Sequence, residues 1–354
     1  MNSNLKFFKK SKSLPIDKFF QNVLYDNKIG YYATKQPFGG NGDFITAPNI
    51  SNLFSEMIGI WLISTWQTCG KPKDFNIVEL GPGDGSLVKI LLKIFKKFPE
   101  FEKSSKIYLY ETSIYLKKLQ KENIQNKKIK WINNFNTIKK GPTFFFGNEF
   151  FDAIPIKQFK RENNILYEKF YTIDDKNKIS EVYKIASKKN KKLIKTFKTL
   201  TKLKFIEFPN LGLIELKKII KKINSNNGGL LMIDYGFLDS ANQNTLQSVM
   251  KHKKNNLLKN LGKADVTSHV NFQLLKEFFL KNNLKVKKVV TQKFFLESLG
   301  IIQRANILSN NMKFNDQSNL YLRLKRLLDP KLMGSLFKVI LSYRLKTDKF
   351  LGFK

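Results

Sequence analysis

The chain has 354 residues, 42% of them hydrophobic and 13% aromatic, which is enough apolar material for a folded core and excludes a disordered, collagen-like or low-complexity chain. Lysine and arginine number 64 against 28 aspartate and glutamate, a net charge of +36. That balance ordinarily points to nucleic acid, anionic lipid or an acidic partner. Only Arg161, Arg304, Arg323, Arg326 and Arg344 are arginines, however, and the lysines accompany abundant Asn, Ile and Phe. These residues share A- and T-rich codons, so much of the basicity reads as codon bias at tolerant surface positions. Cys69 is the single cysteine, which excludes a disulfide framework, and with His252 and His269 the only histidines a Cys/His zinc site is excluded as well. No uncharged apolar stretch reaches the roughly 18 to 20 residues that span a bilayer, and the N-terminal segment lacks the apolar region of a signal peptide. A soluble, cytoplasmic protein of bacterial type is expected.

In chain order, Ile16, Phe19, Phe20, Val23 and Leu24 recur at helical spacing. The glycine-rich stretch GYYATKQPFGGNGDFITAP follows, and then a helix over residues 50–66. Residues 1–70 are therefore expected to form a helical and glycine-rich cap. From Phe75 short apolar runs alternate with helical periodicity, the pattern of βαβ units in an α/β domain with a parallel sheet, here over residues 71–354. The expected strands are 75–80, 107–111, 129–132, 143–148 and 230–236. Between the first two, Leu87, Ile90, Leu91, Ile94 and Phe98 mark one helix face. About eighty residues separate the fourth and fifth strands, far more than a crossover needs. Residues 156–228 are thus expected to hold an inserted subdomain or a cap over the sheet's edge, with a helix around IELKKIIKKI. The C-terminal third should add strands and close with helices to about Tyr343.

VELGPGDGSL, residues 78–87, lies where the first strand turns into the first helix. A dinucleotide fingerprint requires GxGxxG. Here Gly81, Gly83 and Gly85 read GxGxG, with Glu79 two residues before the loop and Asp84 inside it. Two carboxylates would repel a pyrophosphate, whereas S-adenosylmethionine carries an ammonium and a sulfonium and no phosphate. The charge pattern favours the methyl donor over NAD. Glu111, at the end of the second strand, can accept hydrogen bonds from both ribose hydroxyls, a device that NAD sites share.

The fourth strand ends in GNEFFDAIP, residues 147–155. Ligands of an open parallel sheet bind outside the carboxyl ends of its strands, so Asn148, Glu149 and Asp152 should emerge beside the donor methyl. Acids there suit a cationic substrate and can hold a guanidinium with one nitrogen aimed at the sulfonium methyl. The alternative is that Asn148 and Asp152 are turn and cap residues ahead of Pro155. Residues 245–272 read as loop-like and bring together His252, Asp265, Thr267 and His269, where a histidine is either a general base or a structural hydrogen-bonder. No GxSxG occurs, so a serine nucleophile has no support.

Taken together, YDNKIGYYATKQPFGGNGDFITAPNISNLFSEMIGIW, VELGPGDGSL, the Glu111 strand end, NEFFDAIP, MIDYG, NTLQSVMKHK, KADVTSHVNF and TQKFFLESLGI resemble, in order and spacing, the MidA family of class I methyltransferases. The resemblance runs from about Ile16 to the C-terminus. It implies a Rossmann-like, mostly parallel sheet with helices on both faces and S-adenosyl-L-methionine as cofactor. It also implies protein arginine methylation; the family's mitochondrial members dimethylate an arginine of a respiratory complex I subunit and assist assembly. Residue by residue, Gly81, Gly83 and Gly85 would shape the donor loop, Glu79 and Glu111 would contact the donor, and Gly42, Asp43 and Phe44 would close over it. Asn148, Glu149 and Asp152 would border the substrate channel. Asp84 stands where the family often has arginine, and Phe54-Ser55-Glu56 where it often has FGE. The implied partner is an arginine-containing protein, with no metal and no membrane span. A catalytically idle assembly factor is the first rival. RNA methylation is the second, disfavoured by dispersed lysines and the lack of an aromatic and basic platform.

Overall fold

The computed structural model describes residues 4–34, 37, 42–43, 45–239 and 242–353. The chain forms two compact units, each assembled from three separated stretches: Ile45–Phe150, Lys218–Gly236 and Phe279–Lys354 in one, Met1–Phe44, Phe151–Lys217 and Phe237–Phe278 in the other. The boundaries read from sequence texture, after residue 70 and around 156–228, cut the chain at different places.

The first unit is built on a mixed sheet whose main strands are β1 (Phe75–Leu80), β2 (Ser105–Tyr110), β3 (Lys130–Ile132), β4 (Thr143–Asn148), β5 (Gly228–Phe237) and β6 (Phe337–Arg344). Their order is β3-β2-β1-β4-β5-β6, with the short strand Lys285–Val286 beyond β6. The β1 to β5 pairings are parallel, and β6 runs antiparallel to β5 from Gly228↔Arg344 to Tyr235↔Phe337. The order reverses between β1 and β4, which makes their carboxyl ends the topological switch point where such sheets bind ligands. Every residue of β1 is buried, as are Phe144, Phe145 and Phe146 of β4, the signature of strands covered on both faces. Helix α1 (Asn52–Thr68) buries Leu53, Phe54, Trp61, Leu62 and Trp66. A Cβ on its Gly59 would lie 2.9 Å from Ile94 Cδ1 and 3.3 Å from Leu91 Cδ2, so glycine there lets α1 approach α2 (Ser86–Phe95) closely. α2 ends at Phe95, leaving Phe98 exposed rather than on the buried face. Each fully buried large side chain of this core contributes roughly 1.5–3 kcal/mol.

The expectation of helices up to Tyr343 is corrected by β6, an eight-residue strand in the sheet. FKVILSYR is a short apolar run buried on both faces, and periodicity alone does not separate such a strand from a helix.

The second unit contains a five-stranded antiparallel sheet of Ser13–Pro15, Lys157–Glu162, Ile165–Ile173, Ile179–Ile185 and Phe205–Phe208. Helix Ile16–Tyr25 buries the five apolar residues expected from its spacing, and Phe19 packs edge-on to Tyr171 at 5.0 Å between ring centroids. Lys157 is buried between two carboxylates, 3.0 Å from Asp17 Oδ1 and 2.6 Å from Glu168 Oε1. Asn190 Nδ2 donates to the other Glu168 oxygen. Residues 245–272 are not simply a loop: Gln247–Met250 pairs with both Lys253–Asn255 and Asp265–Thr267 in a small antiparallel sheet.

Candidate active site

β1 carries Glu79 into the interior, where its neighbours in register are Leu109 of β2 and Phe146 of β4. The side chain is 4% exposed, and among the described residues its Oε2 has no hydrogen-bond partner. Burial, reinforced by repulsion from Asp84, pushes its carboxyl up to about 8. The chain then turns through Gly81 (φ 60°), Gly83 (φ 57°) and Gly85 (φ 82°), three left-handed positions within five residues. Only glycine takes up such a run without steric cost. Phe150 lies against the first of them, within 3.0 Å of where a Gly81 Cβ would stand.

Asp84 is tied to the protein. Its Oδ1 accepts from the Ser86 N–H at 3.0 Å, at the start of α2, and its Oδ2 accepts from Asn49 Nδ2 at 3.1 Å. The loop acid thus closes an Asx-type turn just ahead of α2 and ties it to Asn49, a local use for a carboxylate where the family often has arginine. The other departure is also structural: Ser55 is fully buried and Glu56 forms a two-point ion pair with Arg304.

Glu111 follows β2 and is 7% exposed. Its Oε1 accepts from the N–H groups of Thr112 (2.7 Å) and Ser113 (2.8 Å), and its Oε2 accepts from Gln120 Nε2 (3.2 Å). Burial raises its pKa against these three opposing bonds. A carboxylate offers about four acceptor positions, so part of the capacity expected for two ribose hydroxyls is already in use. Gln120, on the helix Ile114–Ile124, also donates to the Gly83 carbonyl at 2.8 Å and accepts from Trp131 Nε1 at 2.9 Å. It therefore binds the glycine loop to the Glu111 strand end. Gln120 and Asn49 were not singled out from the sequence, because their role exists only once separate elements meet.

At the end of β4, Asn148 and Glu149 follow the expected pattern of emergence. Glu149 has φ 52°, a strained conformation for a residue with a side chain, and its N–H donates to the Ile233 carbonyl at 2.9 Å. Its Oε1 accepts from Asn148 Nδ2 at 2.9 Å and from the Ala47 N–H at 3.3 Å. Asn148 Oδ1 is buried without a partner among the described residues. Glu79, the three glycines, Glu111, Asn148 and Glu149 are thus brought to the carboxyl ends of β1, β2 and β4.

Asp43 and Asp152 belong to the second unit. Asp43 is 4% exposed and accepts from Tyr31 Oη at 2.7 Å and from the Lys251 N–H at 2.7 Å, while its carbonyl accepts from the His252 N–H. Asp152 is buried, and its carbonyl accepts from the Ser268 N–H at 3.0 Å. Asp265, which accepts from Tyr32 Oη, is pushed up to about 7 by burial and then by repulsion from Asp152. The His269 N–H donates to Thr245 Oγ1. Phe44 lies outside the described residues.

A sheet of this order closed by an antiparallel β6, with a triple-glycine turn after β1 and an acid after β2, is the Rossmann-like architecture of class I S-adenosylmethionine-dependent methyltransferases. The chain belongs to the Methyltransf_28 family of S-adenosyl-L-methionine-dependent methyltransferases, matched over residues 57–290, which bears out the MidA resemblance. It is 29% identical to protein arginine methyltransferase NDUFAF7, mitochondrial, of Xenopus laevis over 359 residues, covering 93% of this chain and 81% of the relative. The human protein of the same name is 28% identical, with 93% and 80% covered. Both are named as mitochondrial, and this overturns the expectation of a cytoplasmic protein. Among solved structures, a Burkholderia thailandensis protein bound to S-adenosyl-homocysteine shares the fold with TM-score 0.82 at 20% identity, over 99% of this chain and 92% of that one.

The cofactor is S-adenosylmethionine, and the residues fit it. The unpartnered Oε2 of Glu79 suits a cationic group, and the left-handed glycine turn admits a ligand close to the backbone.

Proposed function

We propose that the protein transfers the donor methyl to an arginine side chain of a protein substrate, a respiratory complex I subunit, and so assists assembly of that complex. The names of its curated relatives and the MidA resemblance support the substrate class. The observation that carries the reading is Glu149, a carboxylate held at the end of β4 by a left-handed backbone and by bonds from Ala47 and Asn148.

When bound, the donor supplies an electrophilic methyl on a cationic sulfur. Glu149 holds the guanidinium through a charge-assisted bond, with Asn148 fixing the carboxylate's orientation. A guanidinium nitrogen so held would receive the methyl, the donor would leave as S-adenosylhomocysteine, and the proton shed by the nitrogen would pass to water. Positioning supplies most of the rate. In the same reading the resemblance assigns Asp152 a substrate-side role and Asp43 a donor-side role.

Incubating the protein and labelled S-adenosylmethionine with lysate from cells lacking it should label a complex I subunit on arginine. Glu149→Gln should lower kcat and kcat/KM together by about 10² while donor affinity stays nearly unchanged. Full activity in that variant would remove the arginine-holding role, and donor binding without transfer to any protein would favour the idle assembly factor.

A further inference from the structure

The strand Ile179–Ile185 pairs along its whole length with Ile165–Ile173, from Tyr167↔Ile185 to Ile173↔Ile179. Among the described residues no strand pairs with its other side. Alternate residues of an antiparallel strand turn their N–H and C=O groups away from the partner, so this edge presents a row of backbone donors and acceptors able to template another strand. Tyr183 (40% exposed) and Ile185 (64% exposed) add apolar side chains to it.

The segment that follows has a distinct charge. From Lys184 to Lys204 nine of 21 positions are lysine and none is aspartate or glutamate, against 59 lysines in all 354 residues. This density exceeds the dispersed basicity of the rest of the chain. Lys188, Lys189, Lys192 and Lys195 lie exposed on the helix Lys188–Lys195, which is anchored by buried Ile194 and capped by Ser187 accepting from the Asn190 N–H.

We infer that the edge strand Ile179–Ile185 and the lysine-rich segment after it form a docking surface for an extended acidic segment of a partner protein, which adds to the sheet as a further strand. Two copies of this edge would bring like charges together, so the lysines oppose self-pairing while attracting an acidic strand. A polypeptide fits better than a nucleic acid. The unpaired backbone recognises an extended chain, and residues 184–204 hold neither arginine nor the row of exposed aromatics that stacks successive bases. The inference is independent of the arginine reading.

The test titrates the full-length protein into a fluorescein-labelled heptapeptide of alternating glutamate and valine, read by anisotropy. Saturable binding should weaken at least about tenfold as salt is raised to roughly 0.3 M, and hydrogen exchange should slow at the amides of 179–185. Lys188→Glu, Lys189→Glu and Lys192→Glu combined should weaken binding about tenfold or more, with the triple Lys→Gln variant intermediate should the reversal disturb folding. Absence of binding, binding with unchanged exchange at 179–185, or an oligouridylate of equal charge displacing the peptide at lower concentration would each overturn the proposal.

Discussion

Glu79 combines two properties that its position two residues before a glycine loop does not reveal: it is almost fully buried, and one of its oxygens has no partner among the described residues. With its carboxyl pushed up to about 8, it is largely protonated at neutral pH in the free protein. A cationic donor favours the ionised form, so binding should release close to one proton, and donor affinity should rise with pH up to about 8 and then level off. Calorimetry in buffers of different ionisation enthalpy would measure the proton count, and Glu79→Gln should abolish the pH dependence. Donor binding with no proton released would show that Glu79 keeps its proton in the complex. For stability the sign is opposite: the folded state favours the protonated carboxyl, so its contribution is complete below the ordinary glutamate range and is lost as pH rises through about 8. Glu79 and Glu111 were legible as site candidates because acids at strand ends are local features. The left-handed backbone of Glu149 and the proton on Glu79 were not, since both follow from the surroundings.

Single elements of this fold are joined by a few polar side chains whose loss should be felt on both sides of the joint. Gln120→Leu would remove bonds to Gly83 and Glu111 and leave the Trp131 N–H without its acceptor. Denaturant unfolding should show a loss of about 1–3 kcal/mol, with donor affinity falling as the loop and the strand end loosen; unchanged affinity would mean that the two are held independently. Gly83→Val should remove donor binding, because a branched residue at φ 57° is strained and fills the space a ligand needs. In the second unit, Lys157→Met would strand the carboxylates of Asp17 and Glu168 in the interior, and a loss of about 3–5 kcal/mol is expected in urea denaturation. The glycine turn and the strands of the parallel sheet were readable because βαβ units are sequential. The antiparallel sheet was not: the strand KQFKRE has Phe159 as its one apolar residue, and the strand Ile165–Ile173 pairs with a segment far earlier in the chain.

At the scale of the whole molecule, each unit is assembled from three stretches of a chain that alternates between them. The sequence showed an excess of residues between β4 and β5 but not the destination of that excess, because length does not specify strand pairing. Synthesis exposes a consequence of this alternation. Ser13 pairs with Thr172, and Phe19 packs against Tyr171. At about 5–20 residues per second on the ribosome, the first strand waits roughly 8–30 s for its partner to be made. Throughout that interval Phe19 and Phe20, both buried in the finished protein, lack the Tyr171 ring against which each packs. The slower the synthesis, the longer these rings stay uncovered before the antiparallel sheet can close on them.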